Sequence, residues 1–162
     1  MLLNTTSFAA HAQFTQASVG VNGLTCSQCS RSVEMQLRKL PFVKEVSMDL
    51  GRTEGTIRFR DKEPVNISAI ARAVKDAGFS VRYLEADIDP ATVQLSGKGC
   101  FQFNGDAYYV SQPDGLTSGK VLRLQFVGND YAPRSAQKGY RFPEAGACRG
   151  KNTYYTIARP RD

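Results

Sequence analysis

Gly23-Leu24-Thr25-Cys26-Ser27-Gln28-Cys29 is the stretch whose reading decides the fold of this 162-residue chain. An apolar run, Ser18-Val19-Gly20-Val21, precedes it, and an amphipathic run from Ser32 to Leu40 follows. The two thiols therefore sit where a strand gives way to a helix. The positive end of a helix favours thiolate over thiol. Thiolate is the form that binds metal, and soft sulfur selects Cu(I), Zn(II) and similar ions over Ca or Mg. A bare C-x-x-C is also compatible with half a zinc site, a redox pair, or two packed cysteines without function. The only other cysteines are Cys100 and Cys148, and the only histidine is His11. A closed four-ligand zinc knuckle is thus poorly supported.

The flanks define a sequence of elements. Val19 and Val21 alternate as one face of a strand, and Gly23 permits a turn after it. Cys29, Val33, Leu37 and Leu40 fall at helical spacing, with Cys29 at the top of the buried stripe and Cys26 as the more exposed thiol. Pro41 ends that helix. Val46, Met48 and Leu50 form a second strand and Ile57 and Phe59 a third, joined by the turn Gly51 to Gly55. Asn66 caps a second helix whose inward stripe is Ile67, Ile70, Ala71, Val74 and Ala77, and Gly78 stops it. Val81 and Tyr83 make a last strand. The order strand, helix, strand, strand, helix, strand predicts the ferredoxin-like βαββαβ arrangement, α+β in class, with two helices on one face of a four-stranded antiparallel sheet.

On these residues, the segment 17–87 resembles the heavy-metal-associated domain family. That family includes copper chaperones, the amino-terminal domains of copper-transporting P-type ATPases and a periplasmic mercury-binding protein. Its signature G-M-T-C-x-x-C reads here as Gly23 to Cys29, with Leu24 replacing methionine in a near volume-conserving core change. The exit Ala71-Val74-Ala77-Gly78-Phe79 is also similar to the family's second helix. The resemblance implies Cys26 and Cys29 as metal ligands, with Gly23, Leu24, Thr25 and Phe79 supporting the metal loop. An aromatic at the place of Phe79 is the pattern of transporter-linked domains. Thr25 stands where zinc-exporting members often carry aspartate. Two sulfurs without a nearby histidine or carboxylate leave zinc under-coordinated. The expected cargo is therefore Cu(I), then Hg(II), then Zn(II), bound and passed to a partner by ligand exchange. The implied partner is a metal donor or acceptor such as a copper-transporting ATPase.

The remainder carries fewer signals. The net charge is +6, of which +2 lies up to Asp87 and +4 beyond it, spread rather than gathered into runs. No apolar run reaches the roughly 20 residues of a membrane-spanning helix. Residues 1–16 read as a signal-peptide remnant or a disordered tail, with Ala10-His11-Ala12 as a small-x-small cleavage site before Gln13. Export to the periplasm follows from the first reading and a cytoplasmic protein from the second. Residues 88–162 are expected to form a small all-β barrel- or sandwich-like domain. Its strands are Thr92–Leu95, Phe101–Phe103, Tyr108–Val110, Lys120–Phe126 and Tyr154–Ile157, and Tyr131 to Gly150 is an irregular stretch. In an exported chain Cys100 and Cys148 pair as a disulfide, which stabilises by roughly 4 kcal/mol if unstrained. Two buried thiols and a second metal site are the alternatives. With His11 the sole histidine, a His-based triad or a zinc hydrolase is hard to build, so no enzyme is expected. A dithiol oxidoreductase at Cys26 and Cys29 is the catalytic alternative. Stacking of nucleic acid or a ligand on Phe101, Phe103, Tyr108, Tyr109 and Phe126 is the binding alternative, though alternating aromatics are more often core.

Overall fold

The computed structural model describes residues 14–111, 121–132, 134–144 and 146–160. The first half folds as β1 (Phe14–Asn22), α1 (Ser27–Arg38), β2 (Val43–Asp49), β3 (Glu54–Phe59), α2 (Ile67–Asp76) and β4 (Ser80–Ile88). This is the ferredoxin-like order expected from the sequence. β1 begins at Phe14, three residues ahead of the expected boundary, and the cleavage-site residues Ala10 to Ala12 lie outside the described residues. Asn66 caps α2, its Oδ1 accepting from the Ala69 N–H at 3.1 Å. Ile67, Ile70, Ala71, Ala73 and Val74 are buried beneath α2, and Ser30, Val33 and Leu37 beneath α1. Ser30 takes the first buried position where Cys29 was expected, because α1 starts at Ser27 and its inward stripe runs 30, 33, 37.

The second half adds a 3-10 turn (Pro90–Thr92), β5 (Cys100–Phe103), β6 (Asp106–Ser111), β7 (Leu122–Val127), a second 3-10 turn (Arg134–Gln137) and β8 (Thr153–Pro160). These strands do not make a barrel or sandwich of their own. All eight lie in one sheet, ordered β2-β3-β1-β4-β7-β8-β6-β5. The sequence expectation is corrected at a second point. Thr92–Leu95 is not a strand, because Asp89 accepts from the Ala91 N–H at 2.9 Å and sets a 3-10 turn through Pro90. Val93 and Leu95 still pack partly against the core. Lys120 and the expected turn at Pro113 to Gly115 lie outside the described residues.

Register explains why the sheet continues. Opposed residues in paired strands share a face. One row runs Val46, Ile57, Ala17, Ala86, Leu124, Ala158 across six strands, and every member is buried. An adjacent row on the other face runs Glu45, Arg58, Gln16, Asp87, Arg123, Arg159. Asp87 is 1% exposed, and a buried carboxylate is costly unless paired. Arg123 Nε meets its Oδ1 at 2.9 Å and Gln16 Nε2 donates to its Oδ2 at 2.8 Å. Arg123 Nη1 also lies 3.4 Å from Glu85 Oε2. Burial raises the Glu85 pKa, and Arg123 and Arg159 pull it back down. On the apolar side the helix-covered core runs into an aromatic cluster. Phe14 of β1 makes edge contacts with Phe103 and Tyr108, and Tyr108 stacks between Phe101 and Tyr154. Those aromatics are core residues. Among the described residues no helix is long and apolar enough to cross a membrane.

One further contact binds three strands. Tyr83 of β4 lies flat across Gly20 of β1 and donates to Glu54 of β3. A Cβ at Gly20 would stand 2.3 Å from the Tyr83 ring. Gly20→Ala is therefore expected to destabilise by about 1–3 kcal/mol, the usual cost of overpacking, read from the denaturant midpoint. Burial, then the bond to Glu54, pushes the Tyr83 pKa up to about 12 from 10.0. The folded chain holds this proton where the unfolded chain has lost it. The stabilisation is whole below pH 10 and is lost as pH rises through 12. Tyr83→Phe should flatten the loss of stability across that window, and an unchanged alkaline profile would exclude the contact.

Candidate metal centre

The metal loop hangs between the end of β1 and the start of α1. Gly23 has φ +78°, a left-handed conformation that glycine adopts without cost, and the Thr25 N–H donates to its carbonyl at 2.9 Å. That turn drives Leu24 inward, where it is 1% exposed, and leaves Thr25 outward. Cys26 follows in extended conformation as the N-cap of α1. Its Sγ accepts from the Cys29 N–H at 3.1 Å, doing what a serine oxygen does at other helix starts. Cys29 lies one turn on, with the two Cα atoms 5.2 Å apart and the sulfurs joined as a disulfide. Cys26 is exposed and Cys29 half-buried. The first turn of α1 carries no acidic residue, so nothing offsets the positive helix end beside the sulfurs.

Phe79 reaches this loop through the way α2 ends. The Phe79 N–H bonds the Val74 carbonyl at 3.1 Å and the Gly78 N–H bonds the Lys75 carbonyl at 2.9 Å, with Gly78 at φ +90°. This paired closure turns the chain back sharply. It sets the half-buried Phe79 ring 3.9 Å from where a Cβ on Gly23 would stand. The structure thus gathers Gly23, Leu24, Thr25, Cys26, Cys29 and Phe79 at one end of the sheet. Behind them lie Tyr83, Glu54 and Gly20, which sequence reasoning passed over. The one signal for them was a glycine inside a strand pattern, which marks close approach by another group.

Cys100 and Cys148 are joined by a disulfide, with Cα atoms 5.7 Å apart and Cys148 5% exposed. β5 lies five places from β1 in the sheet, about 24 Å at one strand spacing per step. The two sulfur pairs therefore do not share a site. Among the described residues no three of His, Cys, Asp and Glu come together as a metal cage. His11 lies outside those residues. Cys26 and Cys29, once reduced, make a two-sulfur site. It suits an ion content with two soft ligands and leaves a tetrahedral ion short by two.

Comparison with known proteins gives the same address. Copper-transporting ATPase 1 of Rhizobium meliloti (strain 1021) is 42% identical over 67 residues, 41% of this chain and 8% of that protein. Copper-transporting ATPase 1 of Mus musculus is 34% identical over 64 residues, 40% of this chain and 4% of that protein. This chain thus spans less than a tenth of the length of either ATPase. The crystal structure of a copper binding domain from HMA7, a P-type ATPase, is 32% identical and superposes with a TM-score of 0.39, covering 42% of this chain and 90% of that one. The family model for the heavy-metal-associated domain matches the segment that carries β1 to α2 and the paired cysteines. That match runs over residues 18–80 of this chain.

Proposed function

We propose that this chain binds Cu(I) between the thiolates of Cys26 and Cys29 and passes it to a protein partner by ligand exchange. The observation that carries the reading is a two-sulfur site, one sulfur exposed and the other half-buried, with no third donor gathered beside it among the described residues. The names of the related proteins, copper-transporting ATPases, support copper as the cargo. In the joined form the pair has no thiolate to offer. A dithiol reductant supplies two electrons and two protons, opens the bridge and leaves two thiols. Cu(I) binding then releases the two protons.

Hand-over follows from the difference in exposure. A partner thiolate joins the ion to make a three-coordinate intermediate, and Cys26, on the open side of the helix mouth, is reached first. Cys29 holds until the ion has left. No bond of the protein chain is made or broken, so the reaction is transfer and not catalysis. The acceptor is a protein with a comparable thiol pair, such as a copper-transporting ATPase. The Cys100–Cys148 bridge supports an exported chain, because disulfides persist in oxidising compartments.

Competition titration of the protein, with the Cys26–Cys29 bridge reduced, should rank Cu(I) far above Zn(II). A preference for Zn(II) would overturn the copper assignment. Cys26→Ser or Cys29→Ser should abolish tight Cu(I) binding, whereas Cys100→Ser should leave it intact. One-to-one Cu(I) binding retained in the Cys26→Ser/Cys29→Ser double variant would falsify the site.

A further inference from the structure

The two outer strands of the sheet are treated differently. β2 has two of its carbonyls, Val43 and Val46, taken by the guanidinium groups of Arg60 and Arg38. Such side-chain bonds blunt an edge against further pairing. β5, at the other end, is joined to β6 by a two-residue turn with Asn104 at φ 50° and Gly105 at φ 82°. In such a hairpin the pair beside the turn exchanges both main-chain bonds. Phe103 and Phe101 therefore bond inward to β6, and Cys100 and Gln102 face outward. Ser96 fills the Cys100 position, giving its N–H to the Cys100 carbonyl at 2.8 Å and accepting the Cys100 N–H on Oγ at 3.3 Å. Gln102, exposed, is the next outward position. The Ser96 carbonyl also accepts the Gly99 N–H at 2.9 Å, so the chain turns at Ser96 into β5 and leaves the edge beside Gln102 open to a further strand.

A cavity of about 630 Å³ lies along this edge, between the 92–98 segment and the 147–149 segment. Leu95, Phe101 and Ala147 give it an apolar wall, and the Cys100–Cys148 bridge ties that wall to β5. Its charged lining residues are Lys98 and Arg149, both exposed, and no carboxylate lines it among the described residues. We infer that this cleft receives an extended acidic segment of a partner protein, which adds to the sheet beside β5 as a short strand. Main-chain bonds to Gln102 set its register, alternate apolar side chains enter the cavity, and carboxylates meet Lys98 and Arg149. Ser96 holds the Cys100 position, so the segment pairs at Gln102 and its remaining residues extend along the cavity. The inference stands apart from copper binding and needs no metal.

The test uses the whole chain with both bridges closed and a labelled six-residue peptide alternating glutamate and valine. The peptide should bind, shift the Gln102 amide resonance and slow its hydrogen exchange. Lys98→Glu/Arg149→Glu should weaken binding at least tenfold while Cu(I) titration of the reduced variant is unchanged. N-methylation of the peptide at the amides on one edge should weaken it at least tenfold, a readout that needs no variant to fold. Equal binding of the N-methylated peptide would overturn strand addition. Equal binding of a lysine-valine peptide would overturn the acidic preference. Absence of binding up to millimolar peptide, or capture of a single-stranded oligonucleotide in its place, would overturn the inference altogether.

Discussion

Strand β4 has a partner along each edge, β1 on one side and β7 on the other, and the rest of the molecule is arranged by that double pairing. Its first residues follow directly from Phe79, so whatever fixes β4 also fixes the aromatic wall of the metal loop. Its last residues carry Glu85 and Asp87 on one face and Ala86 and Ile88 on the other. The apolar pair continues the core into the second half. The carboxylate pair demands a cation, and Arg123 of β7 supplies it. Removing Arg123 would leave Asp87 without its guanidinium in a buried place, the costly half of a broken ion pair. The second half is thus held to the first by continuous main-chain pairing, by buried apolar rows and by one charge cluster. A second tie runs outside the sheet, where Lys75 at the end of α2 pairs with Asp130 after β7.

The loop that carries Cys26 and Cys29 takes its shape from the residues around the sulfurs. Leu24 is pulled under the helices, and this fixes how far Cys26 can move from β1. Gly23 provides the turn that lets Leu24 go in and Thr25 go out. Gly78 provides the turn that returns Phe79 toward Gly23. Each of these is a local main-chain requirement. Together they hold the two sulfurs at the mouth of α1 while leaving one of them open to a visitor.

Most of the first half was legible because its signals are local. The alternation of Val19 and Val21, the cap at Asn66 and the stop at Gly78 act within a few residues, and all three take the expected form. The pairing of Gly20 with Tyr83 was not legible, since it joins residues 63 positions apart that meet only when β1 and β4 are in register. The same limit governs the second half. Four of its expected strands match β5 to β8 in position, but alternation does not name a strand's neighbour. β6 runs parallel to β8, and β7 is paired to β4 rather than to β6. Thr92–Leu95 failed for a local reason of the opposite sign. Its side chains favour a strand, and the Asp89-Pro90 pair before it imposes a turn.

The two sulfur pairs show why one can serve as a clamp and the other as a staple. A bridge restricts the unfolded chain in proportion to the logarithm of the loop it closes. The separation of 48 between Cys100 and Cys148 contributes about 4 kcal/mol on that account, whereas the separation of 3 between Cys26 and Cys29 contributes about 2 kcal/mol. Cys148 is also buried and Cys100 half-buried, so a reducing thiol has less access to this bridge than to exposed Cys26. Cys26 is exposed at a helix mouth, where the attacking thiol meets no wall and the leaving thiolate is stabilised by the helix end. Opening the first pair therefore costs the fold less and frees two thiols at the helix mouth. Opening the second would release the tie between the 147–149 segment and the edge strand β5. A chain that carries both can have Cys26 and Cys29 reduced while its second half stays bridged.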